Sequence, residues 1–89
     1  MHTADYINGI LYVFRGGDGR DYLNDLFALD VKRKKWIVLT ESGTRPPARA
    51  NHASCLYGTK LFIFGGWDGT RRLNDLHTFD TSENHWDEP

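Results

Sequence analysis

The sequence predicts an all-β protein that contains two copies of one four-stranded antiparallel sheet, the second with an incomplete last strand. Three observations carry this prediction. The chain repeats itself at an offset of fifty residues, and short apolar runs rich in aromatic and β-branched residues recur in each copy. No amphipathic helical pattern of useful length is present. The 89 residues are enough for one small domain.

The repeat is visible when residues 1–39 are aligned without gaps to residues 51–89. Twelve of the 39 pairs are identical, whereas random pairing would give about two or three. The identical pairs include His2 with His52, Leu11 with Leu61, Phe14 with Phe64, Gly16 with Gly66, Asp25 with Asp75, and Trp36 with Trp86. Identity in one unbroken order indicates that one structural unit is used twice.

Each copy contains four segments with strand character. The runs 11–14 and 61–64 are apolar at every position, which is typical of a strand covered on both faces. Asn8-Gly9 favours a two-residue hairpin turn before the first run, because both residue types tolerate positive φ. The predicted strands are 3–7, 11–15, 24–30 and 35–40 in the first copy, and 52–57, 61–65, 74–80 and the beginning of a fourth at 86–89 in the second.

The second copy carries a recognisable order of residues. It contains Ile63-Phe64-Gly65-Gly66, then Asn74-Asp75-Leu76, Phe79-Asp80 and Trp86, with Pro47, Arg49 and His52 leading into it. This order resembles the kelch repeat, in which each repeat forms one four-stranded blade of a β-propeller. The resemblance implies a single kelch-repeat region over 1–89, with blade 1 at 2–40, an inter-blade connector at 41–51 and blade 2 at 52–89. Two blades make an incomplete propeller.

Blade 1 departs from the kelch pattern at two positions. Arg15 stands where the family has its first glycine, and Leu29 stands where an aromatic residue is usual. Glycine at a strand end permits positive φ or a close backbone approach, whereas arginine must send a long charged side chain out of the packing. We therefore expect either a local distortion of blade 1 or an Arg15 that lies on an unpacked face.

Composition excludes several classes of partner. The net charge of −1 supplies no basic field for nucleic acids or acidic membranes. The apolar runs are too short to span a bilayer, and no basic-then-apolar leader opens the chain. The single cysteine, Cys55, cannot form an internal disulfide. We expect a protein of the cytoplasm or nucleus that binds neither nucleic acid nor membrane.

No pattern of residues predicts catalysis, a metal site or a cofactor. The four histidines, His2, His52, His77 and His85, lack a convergent metal-ligand spacing. The glycine-rich segments lead into a strand, so no helix N-terminus completes a phosphate site. Asp25 and Asp75 are expected to hold their loops by hydrogen bonds. The basic run 32–35 is expected to form a solvated turn between the third and fourth strands.

The resemblance implies a protein-protein interaction module that binds a peptide or protein through loops at one end of the blades. Two alternatives stay open. One is a structural propeller piece that assembles with other blades, as a homo-oligomer or within a longer chain. The other is an enzyme, since some relatives with this fold use copper or iron, although no converging ligand set is visible here.

The loops between the second and third strands, which differ between the blades, are the predicted binding rim. Together with the connector they contain the predicted partner-binding residues Arg20, Asp21, Tyr22, Arg45, Arg49, Asn51, Trp67, Arg71 and Arg72. Arginine grips a carboxylate bidentately, so this rim favours an acidic partner. The alternatives are that these arginines only solubilise the loops and that Arg49 braces the neighbouring blade.

The repeat also predicts a core and an assembly. The side chains expected to be most buried are Phe14, Leu26, Trp36, Phe64, Leu76, Phe79 and Trp86. Each blade has two apolar faces, and two blades can cover only one pair of faces. Large bare apolar faces are typical of interaction sites. We expect self-association, for which three chains making six blades is the simplest cyclic closure.

Overall fold

The computed structural model describes residues 2–17 and 22–89, which form two β-sheets. The strands are β1 His2–Ile7, β2 Ile10–Gly17, β3 Tyr22–Asp30, β4 Lys35–Ile37, β5 Ser42–Gly43, β6 Ala53–Tyr57, β7 Lys60–Trp67, β8 Arg72–Asp80 and β9 His85–Asp87. Their order is β1-β2-β3-β4 in the sheet of blade 1 and β5-β9-β8-β7-β6 in that of blade 2. The all-β prediction is confirmed. The described part of the chain has no helix long and apolar enough to cross a membrane.

The first hairpin has the predicted turn. Asn8 and Gly9 have φ values of 50° and 83°, and Ile7 pairs with Ile10 on either side of them. Asparagine and glycine adopt this left-handed region more readily than other residues, so the turn follows from local sequence. The basic run also lies where it was predicted, because residues 31–34 form the turn between β3 and β4.

The fourth strand of blade 1 is shorter than predicted. The expected strand 35–40 ends at Ile37, and only three residue pairs join β3 to β4. Beyond this point the chain crosses to the other sheet, where β5 pairs in parallel with β9. The connector therefore contains a strand that sequence patterns did not indicate. β9 has three residues, the same length as β4.

The kelch glycine position explains a difference between the blades. Gly65 adopts φ 67°, and the pairing of β7 with β8 shifts between Phe64 and Gly66. Arg15, at the equivalent position, is exposed, does not have positive φ, and stays paired with Asp25. An L-residue with a side chain avoids the conformation that glycine accepts there, so the shift in blade 1 falls one residue later. Both expectations for Arg15 are therefore met: its side chain is exposed, and the strand pairing next to it differs from that in blade 2.

Each blade has two faces, which we name after the aromatic residue each presents. The Phe face carries the phenylalanine of the second strand, and the Trp face carries the tryptophan of the last strand. The Phe face of blade 1 presents Tyr12, Phe14, Leu26 and Ala28, and the Trp face of blade 2 presents Leu61, Ile63, His77, Phe79 and Trp86. These two faces pack on each other and form the core. Aromatic contacts join them: the ring centroids are 6.2 Å apart for Tyr12 and Phe79 and 5.9 Å apart for Phe14 and Trp86.

The predicted core is only partly correct. Phe14, Leu26, Phe79 and Trp86 are buried as expected, and Leu76 is half-buried. The prediction is wrong for Trp36 and Phe64, which are 65% and 52% exposed. Trp36 lies on the Trp face of blade 1 and Phe64 on the Phe face of blade 2, and within the chain no sheet covers either of those faces.

The first strands of the two sheets lie side by side. Thr3 Oγ1 and His52 Nε2 are hydrogen-bonded at 2.8 Å, and Ser54 Oγ donates to Asp5 Oδ2 at 2.8 Å. These bonds fix β1 against β6, and the start of β3 at Tyr22 lies against Gly69 in the loop between β7 and β8.

Candidate functional site

The loop end of the molecule brings several of the predicted binding residues together. Arg20 and Asp21 lie outside the described residues. Tyr22 begins β3 and covers the loop of blade 2, since a Cβ added to Gly69 would lie 2.9 Å from the Tyr22 ring. Arg71 and Arg72 are exposed. The start of β3 thus lies next to the loop of blade 2, with Tyr22 at the contact.

The loop of blade 2 is held by its own aspartate. Asp68 Oδ1 accepts hydrogen bonds from the backbone N–H groups of Thr70 and Arg71, at 2.8 and 2.9 Å. These bonds, the one from Arg71 above all, hold the pKa of Asp68 below its usual range. This arrangement is a local turn motif and presents the side chains of Arg71 and Arg72 to solvent.

Next to this loop lies an open groove of about 650 Å³. Asn51, Trp67 and Arg72, which the sequence placed on the rim, line it together with Phe64, which the sequence placed in the core. Asn51 has φ 57°, which turns the connector into β6. The groove therefore joins two partly exposed aromatic rings with one exposed guanidinium group, a mixture typical of protein-binding surfaces.

Arg49 does not belong to the exposed rim, so its assignment as a partner-binding surface residue is corrected. It is fully buried and bonds to Asp75 through both terminal nitrogens, at 2.7 and 2.8 Å. It also donates to the carbonyl oxygens of Gly65 and Pro47. Its guanidinium group holds the pKa of the Asp75 carboxyl well below its usual range. Arg49 thus braces blade 2, which is the alternative that the sequence left open.

Arg45 is partly exposed and already has acidic neighbours. Its NH2 group donates to Glu41 at 2.8 Å, and its NH1 group lies 3.9 Å from Asp25. It lies beside an open cavity of about 450 Å³ at the outer edge of blade 2, which Asp75 and His77 also line. Arg45 is therefore separate from the groove that Arg72 and Trp67 share.

The histidines have structural partners. His52 is buried, bonds to Thr3, and packs edge-on against Phe14 with ring centroids 4.9 Å apart. Burial, and secondarily the charge of Arg49, lowers the pKa of His52. His77 Nε2 donates to Asp75 at 2.8 Å, and His85 Nδ1 is hydrogen-bonded to Ser42 Oγ at 2.7 Å.

One cluster among the described residues has the composition of a metal site. The potential ligand atoms of Asp75, His77 and Glu88 lie within 4.8 Å of one another. Both carboxylate oxygens of Asp75 already accept hydrogen bonds from Arg49, however, so a cation would face a buried positive charge there. The geometry favours an ion-pair network at this position.

The most extensive exposed features are the two uncovered faces. The Trp face of blade 1 exposes Tyr6, Phe27 and Trp36, and the Phe face of blade 2 exposes Tyr57 and Phe64. They account for five of the nine large hydrophobic residues exposed in the described chain. The sequence predicted two bare faces, and it missed which aromatic side chains they carry.

Comparison with known proteins matches one family to the whole chain and individual relatives to about two thirds of it. The family described as the KLHDC2/KLHL20/DRC7 Kelch-repeats domain matches residues 1–89. The chain is similar to Adagio-like protein 1 of Oryza sativa subsp. japonica, with 46% identity over 63 residues, 67% of this chain and 10% of that protein.

Two further relatives show the same pattern. Rho GTPase-activating protein gacHH of Dictyostelium discoideum is 36% identical over 61 residues, 68% of this chain and 4% of that protein. Dynein regulatory complex subunit 7 of Chlamydomonas reinhardtii is 36% identical over 56 residues, 61% of this chain and 5% of that protein. The chain thus spans a tenth or less of the length of each of these three relatives.

Proposed function

This chain belongs to the kelch-repeat family, and we propose that it is a protein-interaction module whose partner is a second copy of itself, bound face to face through its uncovered blades. Kelch repeats are generally protein-protein interaction modules. The relative from Chlamydomonas reinhardtii is named as a subunit of a dynein regulatory complex, which fits a module that binds other proteins.

The observation that carries this proposal is the opposite burial of equivalent aromatic residues. Phe14 is 1% exposed and Phe64 is 52% exposed, although they occupy the same repeat position. For the equivalent tryptophans, the residue of blade 2 is the buried one: Trp86 is 2% exposed and Trp36 is 65% exposed. Each uncovered face is therefore a second version of a face that is already packed within the chain.

The packed pair supplies the geometry of the proposed contact. Inside the chain a Phe face covers a Trp face, so the uncovered Phe face of blade 2 matches the uncovered Trp face of blade 1 in a second copy. Such a contact joins different surfaces on the two copies and is heterologous. Heterologous contacts form a ring when the rotation closes, and three chains would supply six blades, within the usual range of four to eight.

Sedimentation equilibrium tests this proposal directly. The expected result is a species of three times the chain mass, or another closed multiple, at micromolar concentration. The variant Phe64→Asp should sediment at a lower mass, because it places a charge at the centre of the contact. Val31→Ser, which removes an exposed apolar residue in the turn after β3, serves as the matched control. A wild-type monomer at high concentration would contradict the proposal.

A second candidate surface is the groove at the loop end of blade 2. Arg72 and its neighbour Arg71 are exposed, and among the described residues neither side chain has an acidic partner within ion-pair distance. A guanidinium group beside the aromatic ring of Trp67 suits an acidic, extended segment of another protein. This surface suits the acidic partner that the sequence favoured, and it shares Phe64 with the uncovered Phe face of blade 2.

We also propose that the chain is not an enzyme and acts in the cytoplasm or nucleus. The metal-dependent alternative would require the cluster of Asp75, His77 and Glu88 to hold a cation beside the buried Arg49 guanidinium group. Metal analysis of the purified protein tests this point: stoichiometric copper, iron or zinc would contradict the proposal. Localisation of a tagged copy tests the compartment.

A further inference from the structure

Blade 2 carries a bound segment along its outer edge. Residues Glu41, Ser42 and Gly43 of the connector, which we name the strap, run parallel to β9. The Ser42 N–H donates to the Asn84 carbonyl oxygen at 2.9 Å, and the Trp86 Nε1–H donates to Glu41 Oε1 at 2.7 Å. A carboxylate on an indole N–H is a charge-assisted hydrogen bond, so this contact is a strong part of the attachment.

The strap requires a glycine at its third position. Gly43 has φ 79°, and a Cβ added there would overlap the carbonyl oxygen of Trp86. A side chain is therefore excluded both by the backbone conformation and by the close approach to β9. The bound sequence can be described as an acidic residue, a small hydroxyl residue and a glycine.

Blade 1 has the same edge, along which no described residue is paired with β4 on its outer side. β4 is the last strand of its sheet, and Trp36 pairs with Leu29 as Trp86 pairs with Phe79. The turn before it has the same backbone, since Lys34 has φ 56° and Asn84 has φ 53°. Within the described chain, Trp36 Nε1 has no hydrogen-bond acceptor. The indole N–H and the edge-strand backbone that hold the strap on blade 2 are thus repeated on blade 1, whereas Lys35 stands where His85 bonds Ser42.

Two further features at this edge indicate the chemistry of an occupant. The basic run at 32–35 lies beside β4 and is exposed, whereas its counterpart at 82–85 contains no lysine or arginine. A cleft of about 490 Å³ adjoins Trp36, with mainly apolar walls that include Phe27 and Val38, and with Glu41 at its margin. The equivalent positions on blade 2 are His77 and Glu88. Charge at the strand and apolar walls beside it suit an acidic segment followed by an apolar residue.

We propose that the outer edge of blade 1 is a docking site for an extended protein segment of the type acidic residue, small residue, glycine. The segment lies parallel to β4, its carboxylate accepts the Trp36 Nε1–H, and its glycine sits against the Trp36 carbonyl. This inference deepens the proposed interaction function, because it names a second class of partner. The site shares Trp36 and Phe27 with the uncovered Trp face of blade 1. The peptide titration and the sedimentation mass are different readouts, so the two proposals can still fail separately.

The test uses the full chain labelled with ¹⁵N and a synthetic peptide with the sequence of residues 39–47. At constant protein concentration the indole N–H signal of Trp36, identified from its loss in Trp36→Phe, should move and saturate with peptide. The affinity of peptides with Glu41→Gln or Gly43→Ala should be lower by a factor of roughly ten or more. The first change removes a charged hydrogen-bond partner, and the second adds a steric clash.

Matched protein variants separate this site from the others. Trp36→Phe should weaken peptide binding by about tenfold, and Glu83→Gln, in an exposed turn of blade 2, should leave binding unchanged. Three results would overturn the proposal: a Trp36 signal that does not move, a Trp86 signal that moves in its place because the peptide displaces the strap of the chain itself, or equal binding of the Gly43→Ala peptide. The sedimentation behaviour of the chain decides the face-to-face proposal independently.

Discussion

Phe14 of blade 1 and Trp86 of blade 2 pack edge to face, with ring centroids 5.9 Å apart. Both residues recur at the same repeat positions, as Phe64 and Trp36, where they are largely exposed. The contact therefore exists once within the chain and has the residues to form again between chains.

The two equivalent tryptophans should differ in their effect on stability. In the unassociated chain, Trp86→Ala removes a buried side chain and should lower the free energy of unfolding by about 3–5 kcal/mol. Trp36→Ala should cost less than about 1 kcal/mol at concentrations too low for association, because its side chain is 65% exposed in the single chain. Urea denaturation measures both. If Trp86→Ala does not fold, Trp86→Phe should still be clearly less stable than Trp36→Phe, and equal losses would contradict the assigned core.

The buried ion pair between Arg49 and Asp75 should make stability sensitive to the kind of residue at position 49. Arg49→Ala leaves the Asp75 carboxylate without its main partner and should destabilise the chain by about 3–5 kcal/mol. Arg49→Lys should recover only part of this loss, because an ammonium group cannot form the two parallel bonds. The control is Arg45→Ala at a partly exposed ion pair, expected to cost about 1 kcal/mol or less. A full recovery by lysine would show that the bidentate geometry is unimportant.

As the pH is lowered, the stability of the chain should depend first on His52 and then on Asp75. The pKa of His52 is lowered in the folded chain, so the unfolded chain takes up its proton first, and stability should fall as the pH decreases below about 6.5. The pKa of Asp75 is also lowered, so its contribution is present above about pH 4 and is lost as the pH falls further.

Denaturation between pH 7 and pH 3 measures both steps. His52→Gln, which keeps a polar group near Thr3, should flatten the curve between pH 7 and pH 5. Asp75→Asn should flatten the portion below pH 4 at the cost of lower stability at neutral pH. An unchanged slope in His52→Gln would mean that the folded chain protonates this histidine as readily as the unfolded chain does.

The arginines at the loop end should matter for an acidic partner and not for assembly. We expect Arg71→Ala/Arg72→Ala to lower the affinity for an acidic peptide, such as a poly-glutamate peptide, and to reduce the dependence of that affinity on salt. Its sedimentation should match that of the wild type. Fluorescence titration of Trp67 reports the binding, and an unchanged salt dependence would exclude these arginines from the binding face.

Sequence reasoning reached the fold because the repeat, the Asn8-Gly9 turn and the apolar second strands are local signals. It could not assign the core, because Phe14 and Phe64 are the same residue at the same repeat position. Their burial depends on which face of one blade covers the next, and that is a property of the stacking order. The number of blades is enough to predict that two faces are uncovered. It does not predict which aromatic residues those faces carry.

The candidate sites were predicted less completely, for reasons of a different kind. Arg49 has no counterpart in the first copy, so the repeat could not show that it pairs with Asp75. The strap at Glu41, Ser42 and Gly43 has little strand propensity, and its pairing with β9 depends on tertiary contact. Asn51, Trp67 and Arg72 were found because the loops that carry them differ between two otherwise similar blades.

The most direct measurement of the central claim is a mixing experiment with two variants that are each defective in one uncovered face. Phe64→Asp retains the Trp face of blade 1, and Trp36→Asp retains the Phe face of blade 2. Each variant alone should sediment as a monomer, and an equimolar mixture should form a dimer through the one remaining pair of intact faces. A mixture that stays monomeric while the wild type associates would contradict a contact between Phe and Trp faces, and so would association of either variant alone.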